Sequence, residues 1–135
     1  MEVLGIDFLA VMAAAAASFI FGSVYYYALG GPWRNAIGKT EEEIAANMSP
    51  KTFIIAAIAQ LVMAFMLSGV LLHLGGGSLR AGLISGVFLW FGFVLTTMTV
   101  NHAFQGARGS LTLIDGGHWL GVLAIQGCIL GWMGE

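Results

Sequence analysis

The chain has 135 residues, 59% of them hydrophobic and only 9% charged, with a mean hydropathy of +0.89. A soluble domain carries about 25% charged residues, so this chain cannot cover a globular surface and its outer face must meet lipid. A net charge of -2 supplies no field for nucleic acid or for cationic partners, and one cysteine, Cys128, excludes a disulfide framework or thiolate metal site within a chain.

Glu2 and Asp7 stand where a cleaved signal would carry Lys or Arg, and the apolar run that follows is too long for a signal core. That run, residues 8–29, is read as the first membrane span, and no lipidation motif accompanies it. The small-residue run Ala13 to Ala17, with Ser18 and then Gly22, suits a close helix approach. Tyr25, Tyr26 and Tyr27, with Trp33 beyond them, read as an interfacial aromatic belt, and Gly30-Gly31-Pro32 is expected to end the helix. Residues 30–51 form the one sizeable loop. Within it Thr40 and Glu43 make a capping-box pattern, which predicts a short surface helix over Glu41 to Met48.

Ser49-Pro50 then opens the second span, residues 52–74. Gly75-Gly76-Gly77-Ser78 is short enough to force an antiparallel hairpin into the third span, residues 79–105. A turn from Arg108 to Asp115 leads to the fourth, residues 116–134. Each stretch is close to the ~20 residues that cross a ~30 Å hydrocarbon layer, and helices are the form that satisfies its backbone there. The expected fold is therefore all-α, a four-helix integral membrane bundle in one domain. Gly82 and Gly86 in the third span, and Gly117, Gly121, Ala124, Cys128 and Gly131 in the fourth, are small residues at helical spacing. They fit tight packing inside one bundle, or a seam between protomers. Trp119 and Trp132 are taken to mark the two interfaces of the last helix, and Gln126 to make an interhelical bond.

Arg34, Lys39, Lys51 and Arg108 lie on the side of loops one and three, and only Arg80 on the other. The positive-inside rule then puts those loops in the cytoplasm and both termini outside.

Polar side chains within spans are costly and mark functional candidates. Thr97, Asn101 and Gln105 share a helix face by i, i+4 spacing. Gln60 is expected to reach toward them, and Arg108 to pair with Asp115 across the turn. His102 and His118 are placed at the same membrane edge, next to solvent. The cluster has three readings: helix-end hydrogen bonding, a site for a small polar ligand or lipid headgroup, and metal or haem ligation by the two histidines. Two histidines lack the ligand count of a structural metal site, so no cofactor or metal is expected. Asp7 is expected to favour the first helix's N-terminus.

Tyr25-Tyr26-Tyr27-Ala28-Leu29-Gly30-Gly31-Pro32-Trp33, followed by Gly38-Lys39-Thr40-Glu41-Glu42, resembles the first-loop pattern of the DUF1761 family. So do Leu89-Trp90-Phe91-Gly92-Phe93, Asn101, Phe104-Gln105-Gly106-Ala107-Arg108 and Ile114-Asp115-Gly116-Gly117-His118-Trp119-Leu120. The resemblance implies a bacterial-type, four-span protein of the cytoplasmic membrane with no assigned activity and no catalytic residues to carry over. At His102 and His118 the chain departs from the pattern, which has an apolar residue and an aromatic there.

No nucleophile–base pair or phosphate-cradling loop is present in the sequence. The expected role is non-enzymatic: association with copies of the chain or with a larger membrane complex. The alternative is an oligomeric transporter or channel with Gln60, Thr97, Asn101 and Gln105 lining a polar vestibule.

Overall fold

Phe8–Ala28 forms α1 because nothing interrupts its apolar run and Asp7 caps it, the carboxylate accepting from the Leu9 N–H at 3.0 Å. Just before it, β1 (Glu2–Val3) and β2 (Ile6–Asp7) make a small antiparallel hairpin, with Glu2 opposite Asp7 and Val3 opposite Ile6. Its turn puts Leu4 (φ 56°) and Gly5 (φ 80°) in the left-handed region, as tight hairpins require. The sequence did not announce this hairpin, yet it buries Ile6 against the bundle. The computed structural model describes residues 2–135.

Gly30-Gly31-Pro32 does not end helical structure. Only Leu29 interrupts it, and α2 (Gly30–Ile37) starts at once. Pro32 falls in the first turn of α2, where a missing N–H costs nothing. Gly38, left-handed at φ 70°, stops α2, and α3 (Glu41–Asn47) follows with both halves of its capping box formed. α4 (Pro50–His73) begins with proline at its first position.

The third span, Leu79–Gln105, is not uniform: α5 (Leu79–Leu89) passes into a π-helical segment, Trp90–Leu95, before α6 (Thr96–Gln105). A π turn inserts about one residue, which rotates everything beyond it by roughly 100° relative to a straight helix. Gly106, left-handed at φ 69°, ends α6, and α7 (Gly109–Met133) begins only a few residues later. The expected turn from Arg108 to Asp115 is thus mostly helix. Gly116 and Gly117, expected to open the fourth span, lie well within α7, packed against Leu95 and the Tyr25 hydroxyl. Trp119 accordingly lies ~15 Å along α7 rather than near its start.

α1, α4 and α7 surround a shared interior of Val11, Ala14, Ala64, Leu67 and Leu123. The third span lies outside this trio, packed along α7 and only lightly on α4. Of the most apolar 18-residue stretch in each span, 39% is buried in α7 and 33% in α1, but 11% in the third span. What holds that span is backbone contact. A Cβ on Gly82 would run into the Gly127 carbonyl, one on Gly131 into the Ser78 carbonyl, and one on Gly86 into the Leu123 carbonyl. On another side of α7, Gly117 and Gly121 receive Tyr25 and Phe21 of α1. Ala124 and Cys128 are half-buried. The small residues of α7 therefore serve two neighbours within the chain.

The helices are unequal in height. α1, at 21 residues, is ~32 Å long and just crosses the hydrocarbon layer. Tyr25 and Tyr26 in its last turn meet α7 at Ile114 and Asp115, so α7 continues ~8 Å past that contact, from Gly109 to Ile114. The third span, at 27 residues, reaches ~40 Å. His118 lies about one turn further along α7 than Asp115.

Gly82→Ala should destabilise the detergent-solubilised protein at or above the upper end of the ~1–3 kcal/mol typical of overpacking, because the obstacle is backbone. Gly92→Ala, which meets nothing within 4 Å, should leave the unfolding midpoint unchanged or slightly raised; equal losses in both variants would contradict the glycine contact. The Thr40 backbone N–H and hydroxyl hold the Glu43 carboxylate below the usual glutamate range. A depressed folded value contributes stability above the ordinary value of about 4.3 and loses it as pH falls through the folded one. Amide exchange in α3 should therefore accelerate on acidification below that range, and not in a Glu43→Gln variant.

Candidate functional site

Two groups of polar side chains line the contact between α1 and α7. The deeper one joins three helices. Ser18 Oγ donates to Gln60 Oε1 of α4 at 2.7 Å, while Gln126 Nε2 of α7 donates to Ser18 Oγ at 3.0 Å and to the Gln60 carbonyl at 3.1 Å. All three residues are buried, Ser18 and Gln126 completely. The expected interhelical bond of Gln126 is present. Gln60, however, does not reach toward Asn101; its side chain turns inward to Ser18, because α4 presents that face to the three-helix core.

The upper group lies nearer the start of α7, at the end of α1. The Tyr26 hydroxyl donates to Asp115 Oδ1 at 2.7 Å, and the Tyr25 hydroxyl to the Ile114 carbonyl at 2.6 Å. Below them His118 is only 5% exposed, and its Nε2 sits so close over Gly22 that a Cβ there would lie 2.6 Å away. Its ring stacks on Phe21 (centroids 6.3 Å, 11°) and lies 4.8 Å from Tyr26 and 4.6 Å from Trp119. His118 is therefore sealed within the bundle, not set beside solvent as the sequence suggested. The reason is that α7 starts at Gly109, which carries residue 118 inward. The tyrosines likewise do not form a uniform belt. Consecutive helical residues point ~100° apart, so Tyr25 and Tyr26 turn to α7 while Tyr27 alone is 90% exposed.

The other candidates lie on the protruding hairpin. Arg108 does not pair with Asp115; its guanidinium donates to the Asn35 carbonyl and ties the hairpin to α2. His102 Nδ1 bonds Thr112 Oγ1 at 2.8 Å across the hairpin. Trp90 Nε1 donates to the Gly116 carbonyl at 2.8 Å, fixing the π segment to α7. Thr97, Asn101 and Gln105 share one face of α6, all exposed, around a shallow depression of about 470 Å³. The structure thus divides the expected cluster three ways: Gln60 in the core, Asp115 and His118 against α1, and the α6 face outward. Among the described residues, no three His, Cys, Asp or Glu side chains gather as a metal site.

Ser18, Tyr25 and Tyr26 were not expected as site residues. The signal existed: Ser18 and Gln126 are polar positions well inside their spans, and three successive tyrosines cannot all face lipid.

These observations define an all-helical, multi-pass membrane protein. Residues 9–131 match the DUF1761 family, described as a protein of unknown function, and the chain belongs to that family. No curated protein and no solved structure matches it.

Ser18→Ala should cost more than Gln126→Leu. The first leaves a Gln60 carboxamide oxygen and a Gln126 amide hydrogen unpaired in the core, a loss of ~1–3 kcal/mol. The second removes with its bonds a Gln126 Oε1 that has no partner, for a net change within ~1 kcal/mol. Reversible unfolding in mixed micelles checks the order, which would be reversed if Gln126 were the main pin.

Proposed function

We propose that this protein works by lateral association within the membrane, with copies of itself or with a larger membrane complex, and that it is not an enzyme. The observation carrying this reading is the third span, which packs against one neighbour and leaves most of its surface open. Phe88 is 73% and Phe91 65% exposed, rigid aromatic side chains that share a side of the helix at i, i+3 spacing and are of the kind that anchors interfaces. The non-enzymatic part rests on where the polar groups are spent. Ser18, Tyr25, Tyr26, Gln60, His102, Arg108, Asp115 and Gln126 all bond within the chain, holding helices together.

The inward turn of Gln60 weighs against a vestibule that needs it beside Thr97, Asn101 and Gln105. We further place the chain in a bacterial cytoplasmic membrane, with loops one and three inside and both termini outside. Arg34, Lys39, Lys51 and Arg108 against Arg80 alone support that orientation.

Native mass spectrometry after gentle extraction should show an oligomer or a co-purifying membrane partner. Phe88→Ala with Phe91→Ala should weaken that assembly by roughly tenfold or more, as loss of interface anchors does. A wild-type chain that emerges alone would defeat the proposal.

A further inference from the structure

We propose that His118 is an internal proton-accepting site, linked to Asp115 through Tyr26. His118 is one of two described residues with a buried side-chain polar atom lacking any partner: its Nδ1 bonds to nothing. A neutral imidazole carries hydrogen on one nitrogen and a lone pair on the other. With the hydrogen on Nε2, Nδ1 offers a free lone pair inside the membrane, where an unmet polar atom is costly. The ring fills its space against Gly22, so the site has no room for a metal with its other ligands or for an organic molecule. A proton fits.

The surroundings are those of a cation's cage. Phe21, Tyr25, Tyr26 and Trp119 have ring centroids 6.3, 5.8, 4.8 and 4.6 Å from the imidazole, at or near the range over which a π face attracts a cation. Asp115 lies one turn earlier on α7, where positions i and i+3 share a side. It is half-buried, and Tyr26 touches both: its hydroxyl bonds Asp115 and its ring packs on His118. The titratable groups facing the site are Tyr25 and Tyr26 from α1 and Asp115 from α7. His102, from α6, faces Asp115 and is held by Thr112. Arg108 is engaged by the Asn35 carbonyl. A proton from solvent adds to the Nδ1 lone pair, and no bond between heavy atoms changes. The site is separate from the third-span surface and stands or falls independently of association.

Full-length protein in lipid nanodiscs supplies the test, because a protonated imidazole beside an indole quenches its fluorescence. On acidification from about pH 8 to about pH 3, which extends below the range of roughly pH 5–8 in which an unperturbed histidine charges, tryptophan emission should fall in a one-proton transition. That transition should vanish in His118→Gln and in Trp119→Phe, and its midpoint should move in Asp115→Asn. Imidazole ¹⁵N spectra of the wild type and of Trp119→Phe, in which His118 is retained, should show the same titration even if His118→Gln folds poorly. The absence of any transition, or its persistence in folded His118→Gln, would overturn the site. An unmoved midpoint in Asp115→Asn would remove Asp115 from it.

Discussion

Lipid is as apolar as a leucine side chain, so burying apolar surface between helices gains little inside a bilayer, and backbone contact and polar bonds have to hold the bundle. This constraint accounts for α7. It is the most buried span, and it carries both devices. Gly127 and Gly131 let α5 approach until carbonyls and α-carbons touch. Gln126 pins α1 and α4 through Ser18 and Gln60. Each is a short-range interaction that lipid cannot imitate.

The same constraint explains why α7 spends its sides so differently. Toward α5 it offers only hydrogen atoms, and the third span lies flat against it with few side chains interposed. Toward α1 it offers His118 and Asp115, glycines that receive Phe21 and Tyr25, and then Gln126. Polar groups here lie between helices, where each can find a partner, and the two exceptions, His118 Nδ1 and Gln126 Oε1, both belong to this helix. The side of the third span turned away from α7 has neither device and remains open.

Height matters as much as side. α7 continues ~8 Å past its contact with Tyr25 and Tyr26 of α1. Asn101 and Gln105, on the hairpin that α6 makes with this extension, are exposed. His118, further along α7 where α1 packs on it, is enclosed by aromatic rings instead. Position along the helix, rather than residue type, separates the exposed polar groups from the sealed one.

By itself the sequence determined the solvent, the number of crossings and the family, because hydropathy and charge density are sums that need no partner. Residues 79–105 needed only their composition to be read as a span, and Thr40 with Glu43 needed only three-residue spacing to define a cap. Which way a side chain points is a different quantity, set by rotation and offset accumulated along each helix. The π segment at Trp90–Leu95 has no local signal, since it is fixed by a bond from Trp90 to a carbonyl 26 residues on, and Gln60 is held away from α6 by its bonds to Ser18 and Gln126. The early start of α7 carried His118 inward, and Gly116 and Gly117 lie inside that helix with Leu95 and Tyr25 packed against them. The tertiary structure decided which polar residues meet, because in a bilayer a helix's rotation is chosen by the neighbour that satisfies it.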